Sequence, residues 1–179
     1  MKPLPDIVAD DLLVLFCGIN PGMKSAESGH NFARPGNRFW PALHGAGFTP
    51  RLLRPQEDGL LPSFGLGITN LVDRPSRGEA DLSREELRGG AAALEALVAR
   101  IRPRVLGMVG VGAYRVGFSR PKAKLGLQDE TVAGVPVWVL PNTSGLNAHH
   151  QLPELIRRFS QLREFASRRE EAPPERGLL

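Results

Sequence analysis

The stretch LLVLFCGINPG, residues 12–22, sets an uncharged run, Leu12 to Cys17, directly against two glycines that bracket Ile19, Asn20 and Pro21. A run that is apolar at every residue, rather than at alternate ones, predicts a strand buried on both faces, as in a parallel sheet covered by helices. The strand ends there: Gly18 permits a sharp exit, Pro21 fixes its own φ and biases Asn20 towards extended backbone, and Gly22 lets the chain approach a neighbour closely. One polar side chain, Asn20, is thereby held in a stiff loop at a strand's carboxyl end, where open α/β sheets bind their ligands. The same loop also fits an ordinary βα turn.

Outward from this stretch, strands and helices alternate. Residues 65–71, 105–109 and 135–140 read as further strands. Asn37 reads as the cap of a short helix carrying Phe39 and Trp40 towards the core, and residues 56–64 as another short helix. Ser83 and Glu86 form a capping box ahead of Leu87, Ala91, Leu94, Val98 and Ile101, one face of an amphipathic helix that Pro103 ends. A last helix follows residue 151, with Leu155, Phe159 and Leu162 on one face and an arginine-rich opposite side that fits a solvated surface. This alternation predicts a three-layer α/β/α domain with a four-stranded parallel sheet, spanning residues 1–169. Residues 1–10 are expected to form a loose leader, 23–36 an extended loop and 170–179 a disordered tail.

With 179 residues, 41% of them hydrophobic, the chain fits one domain with one substantial core. The net charge of +4 suits a polyanionic partner and an ordinary soluble enzyme equally well. Cys17 is the single cysteine, so neither an internal disulfide nor a multi-cysteine metal site can form, and a reducing, cytoplasmic setting is expected. Ile7-Val8-Ala9 is too short for the core of a signal peptide. The longest uncharged stretch, residues 131–153, is broken by prolines, which argues against a membrane span.

Four segments together are more specific than any one of them: CGINPG (17–22), FARPGNRFW (32–40), LVDRPS (71–76) and LPNTSGLN (140–147). Their order and spacing closely resemble the mismatch-specific uracil-DNA glycosylases, a family that includes the thymine-DNA glycosylases. The resemblance implies a base flipped out of DNA and hydrolysis of its N-glycosidic bond, with no metal or other cofactor and no lyase step. It makes Asn20 the residue that positions the attacking water. An amide cannot take a proton at neutral pH, so Asn20 orients without acting as a general base. The implied base pocket comprises Gly18, Ile19, Phe32, Asn70, Asn142 and Ser144, with Phe32 stacking on the flipped pyrimidine and Asn142 beside the departing base. Gly145, Leu146 and Asn147 become the wedge that fills the gap in the duplex and reads the opposite guanine. Taken without the other motifs, Leu146 fits equally a residue packed under the last helix.

Asp73, just past a strand's carboxyl end, is a second catalytic candidate that would accept the water's proton; a structural carboxylate paired with Arg74 or capping a turn is the alternative. The chain departs from the family pattern at Thr143, in place of a proline, which is expected to loosen the wedge loop. It departs also at Ala148, in place of an arginine that His149 and His150 could partly replace, and at Asn70, where some relatives carry lysine. The expected partner is double-stranded DNA holding a mispaired or damaged base, with single-stranded DNA left open, no membrane, and a monomeric chain. Two other readings compete: a reader of damaged DNA without hydrolysis, and a nucleotide-binding module built on Gly110-Val111-Gly112. In the second, Arg115 stands where a third glycine is needed.

Overall fold

The structure, a computed structural model, describes residues 4–171. Strand β1 (Val14–Gly18) is buried at every residue because its two faces meet different layers. Leu15 and Cys17 face a cluster built on helix α3 (Arg84–Ile101), whose Leu87, Ala91, Leu94, Val98 and Ile101 are all buried. Val14 and Phe16 face the opposite cluster, where α2 (Phe39–Gly45) supplies Phe39 and Trp40 and α5 (Leu152–Glu171) supplies Leu155, Phe159 and Leu162. Ser83 caps α3 through the expected box, accepting from the Glu86 amide at 3.0 Å while Glu86 accepts from the Ser83 amide at 3.1 Å.

The sheet has five strands in the order β2-β1-β3-β5-β4. Strands β2 (Leu66–Asn70), β1, β3 (Val105–Val109) and β5 (Val135–Leu140) are parallel and correspond to the four expected from sequence. The fifth, β4 (Gly126–Val132), runs antiparallel to β5 at the edge and corrects the four-stranded, all-parallel expectation. Ala133 and Gly134, both at positive φ, make the two-residue loop that joins the pair, and the ladder register shifts between Leu127 and Thr131. Residues 4–10 are more tightly tied than a loose leader: Leu4 is buried, and Ile7 exchanges both backbone hydrogen bonds with Ile68 on the outer edge of β2, each 2.9 Å. Within the loop expected at 23–36, Met23–Ser28 forms a short helix, α1. Residues 172–179, most of the expected tail, lie outside the described residues, and α5 continues through residue 171. Among the described residues no helix is long and apolar enough to cross a membrane.

Candidate active site

All four parallel strands deliver their carboxyl ends to one side of the sheet, and a cavity of about 770 Å³ opens there. Ile19 to Gly22 line it after β1, Asn70 at the end of β2, Val109 at the end of β3 with Gly110 to Gly112 after it, and Pro141, Asn142, Ser144, Leu146 and Asn147 after β5. The crevice between β1 and β3, neighbours whose chain connections run to opposite sides, is the position at which such sheets bind ligands.

Asn20 is oriented by its own donors. Its Nδ2 donates to the Arg74 carbonyl at 2.9 Å and to Ser76 Oγ at 2.8 Å. A carbonyl oxygen can only accept, so the amide nitrogen must sit at that end, and Oδ1 is the end left over. Ser76 reinforces this polarity, because its hydroxyl donates to the Gly78 carbonyl at 2.8 Å and so meets Asn20 as an acceptor. The Arg74 guanidinium is itself tied to Glu86 (2.8 and 2.9 Å) and to the Asp81 carbonyl, and its proximity holds the Glu86 carboxyl down to about 2.

Asn142 shows the opposite polarity. Its Oδ1 accepts from the Ser144 amide at 2.9 Å, leaving Nδ2 as the free end. Within the cavity Asn20 is therefore committed as an acceptor and Asn142 as a donor. Phe32 sits in left-handed backbone, φ 51°, a conformation that an aromatic residue occupies only under constraint. One face of its ring stacks on buried Phe39, with centroids 4.1 Å apart, and the ring lines the cavity. Gly18 does not line the cavity but lies beneath it. A Cβ there would come within 2.7 Å of Asn70 Oδ1 and 3.3 Å of the Phe32 ring, so only glycine leaves room for both.

The loop after β5 is mounted on the loop before α2. Arg38 donates from its backbone to the Thr143 carbonyl at 2.9 Å. Its guanidinium donates to the carbonyls of Ser144 (2.6 Å), Asn147 (3.1 Å) and His150. Thr143 is almost fully buried, and its hydroxyl donates to Asn37 Oδ1 at 3.0 Å, which corrects the expectation of a loosened loop: the threonine supplies a tie that proline could not. Asn37 Oδ1 also accepts from the Phe39 amide at 2.9 Å, but the cap position expected of Asn37 falls to Arg38, which makes no side-chain capping bond. At the tip Leu146 is 72% exposed, so the alternative of a residue packed under the last helix does not describe it. Gly145 is exposed outside the cavity lining, where a Cβ would approach the Gly36 carbonyl to 2.8 Å.

Asp73 is not brought to the cavity. The Leu71 and Val72 amides continue the ladder onto Gly18 and Ile19, after which the chain turns outward, leaving Asp73 exposed and outside the lining. The sharing of one water with Asn20 is thus corrected by the direction of the turn. The alternative pairing with Arg74 does not form either, since Glu86 takes that guanidinium. Polar lining residues that the sequence reading passed over include Asn31, Ser76 and Glu79. Ser76 closes a quoted motif and was legible as a hydroxyl near Asn20, whereas Glu79 lies in an unremarkable polar segment and gives no signal. Its carboxyl is pushed up by burial.

Gly110, at φ 118°, opens α4 (Val111–Gly117), and a Cβ there would reach the Ile19 side chain at 2.9 Å; close approach between two loops accounts for this glycine without a pyrophosphate. Burial, with Asp6 nearby, pushes the Cys17 thiol far above its ordinary range, which removes it as a nucleophile. Among the described residues no group of three or more His, Cys, Asp or Glu side chains is placed to hold a metal ion.

The fold is similar to the solution NMR structure of a Methanosarcina acetivorans protein provisionally assigned as a uracil DNA glycosylase. The TM-score is 0.55 and the identity 17%, covering 90% of this chain and 98% of that one. The family model described as the uracil DNA glycosylase superfamily matches residues 5–166. A match over that span takes in both core clusters and every element that lines the cavity, and the chain belongs to the uracil DNA glycosylase superfamily.

Proposed function

We propose that this protein is a monofunctional DNA glycosylase that takes uracil paired with guanine out of duplex DNA and hydrolyses its N-glycosidic bond, leaving an abasic site. The observation that carries the reading is the opposed polarity of Asn20 and Asn142 within one cavity. Hydrolysis at the sugar carbon needs an acceptor to orient the attacking water on one side and a donor to meet the oxygen of the departing base on the other. Asn20 Oδ1 fits the first task and Asn142 Nδ2 the second.

In this scheme the bond from the sugar to the base breaks with its electron pair going to the base. Water held by Asn20 then adds to the electron-poor sugar carbon, and its proton passes through solvent to the released base anion. Because Asn142 is a neutral donor, the anion is stabilised less than an imidazolium would stabilise it, which favours bases that already leave well. Uracil opposite guanine fits this limit, and ethenocytosine and thymine are further candidate substrates. Phe32 offers its ring to the flipped base, and the exposed Leu146 enters the stack in its place. Asp73 has no part in the scheme, since it stands outside the cavity.

An end-labelled duplex with one U·G pair, incubated with the protein and then heated in alkali, tests the reading. The expected result is a break at the uracil that requires alkali. A break without alkali refutes the monofunctional assignment, and specific binding to the mispair with no break favours the non-hydrolytic reader.

A further inference from the structure

A line of hydrogen bonds runs from the surface to the cavity beneath Phe32. Asp58, only 5% exposed, places Oδ1 3.1 Å from His30 Nδ1, and its Oδ2 accepts from Asn31 twice, from the backbone amide at 3.0 Å and from Nδ2 at 3.3 Å. Asn31, 4% exposed, in turn accepts at its Oδ1 from Asn70 Nδ2 at 3.2 Å. Each link dictates the next. The Asp58 oxygen that serves the Asn31 backbone amide is an acceptor, so the side-chain end facing it must be the amide nitrogen. Asn31 therefore turns its oxygen to Asn70, Asn70 must answer with its own nitrogen, and Asn70 Oδ1 is left as the end beside Gly18 and the Phe32 ring.

We propose that Asp58, acting through Asn31, is a positioning residue that fixes the polarity of Asn70, so that the cavity presents an obligate acceptor to the base and admits edges bearing an N–H, such as the imide of uracil. This inference rests on the reading of the cavity as a base pocket and adds to it how the pocket chooses. A free asparagine amide is ambiguous, since a half-turn about its last bond exchanges donor and acceptor. Without the buried carboxylate, Asn70 could meet the N–H of uracil with its oxygen or the bare ring nitrogen of cytosine with its amide. A pocket whose buried polar group is left unpaired by the wrong partner discriminates strongly, and one that can turn to suit either partner does not.

Asp58→Ala removes the acceptor that holds the Asn31 amide nitrogen in place, which frees the line to reverse, whereas an asparagine at 58 could still turn its oxygen to the Asn31 backbone N–H and keep the line as it is. Single-turnover excision of uracil and of cytosine, each opposite an abasic-site analogue in the same duplex, should show the uracil-to-cytosine rate ratio falling about tenfold or more, the scale of one buried hydrogen bond misplaced. Asn31→Ala, which leaves the Asp58 bond to the backbone amide, should lower the ratio similarly and serves if Asp58→Ala does not fold. A merely structural Asp58 predicts slower excision of both bases with the ratio unchanged, and that result overturns the proposal. If the wild-type chain releases neither base, the glycosylase reading fails by itself. Titration of free uracil and cytosine into ¹⁵N-labelled wild type and Asp58→Ala, followed at the Asn70 side-chain amide, then decides: a preference for uracil lost in the variant supports the relay, and equal preference or none refutes it.

Discussion

Replacing Arg38 by alanine separates penetration of the duplex from chemistry at the sugar. The guanidinium holds three carbonyls of the loop that carries Leu146, those of Ser144, Asn147 and His150, while the Arg38 backbone bond to Thr143 survives the change. Charge-assisted hydrogen bonds contribute roughly 1.5–3 kcal/mol each, but these carbonyls lie near water and regain part of the loss, so about 2–3 kcal/mol of loop ordering is a reasonable net figure. That corresponds to a fall of roughly 30- to 150-fold in the fraction of molecules whose wedge stands ready, at about 1.4 kcal/mol per factor of ten. Excision of uracil from a stable U·G duplex should drop by this order, and excision from a single strand, which has no stack to enter, by less than about threefold. Arg38→Lys, a point charge able to serve one carbonyl at a time, should recover part of the rate, and Leu146→Ala sets the loss expected when the wedge itself is gone. Single-turnover rates on both substrates, with thermal melts of each variant, check the argument. An equal loss on duplex and single strand would show that Arg38 supports the fold and not the wedge.

Three other outcomes follow from the geometry. Asn20→Ala should slow uracil excision on the order of 100-fold while DNA affinity, followed by fluorescence anisotropy, stays within a few-fold. Asp73→Asn should change the single-turnover rate by less than about threefold, because the side chain is exposed outside the cavity; a drop near 100-fold would restore its catalytic role. Glu79 is held above its ordinary range by burial, so its neutral form is the one the fold favours. Its contribution to stability is present below the unfolded-state value and is lost as pH rises through the folded one, and Glu79→Gln should therefore raise the melting temperature at pH 7 more than at pH 4. The same variant removes a negative charge from the cavity and should tighten DNA binding, a gain that salt diminishes.

The parts of the molecule that were legible in the sequence are those whose pattern has a single physical cause. An unbroken apolar run such as Leu12 to Cys17 has few fates besides a doubly covered strand, and the spacing from Leu87 to Ile101 fits only one face of a helix. Strand β4 was illegible because an edge strand buries little: Leu127 is half exposed and Asp129 and Glu130 face water, so no alternation marks the segment. Thr143 was misjudged because its position was read for the ring it lacks, while the effect comes from a hydroxyl whose partner, Asn37, lies more than 100 positions away. Asp73 failed for a related reason: a strand end can be located from sequence, but the direction of the turn beyond it is set by tertiary contacts. The link from Asp58 to Asn70 joins residues whose spacing carries no local signal at all.

Both borders of the sheet are guarded, each by a different device, and this bears on how the protein behaves when crowded. On one side the segment around Ile7 occupies the hydrogen-bonding groups of Ile68 that would otherwise form an open ladder. On the other, β4 carries charge and an irregular register, features that discourage a foreign strand from docking. The protection at β2 is lent by only a few residues near the start of the chain, whereas that at β4 is written into the strand itself. Trimming residues 1–8 would remove one apolar lining residue, Leu4, but leave the polar cavity residues in sequence while baring an apolar border beside Leu66 and Ile68, so the first consequence of a shortened chain would be self-association and loss of solubility rather than loss of chemistry.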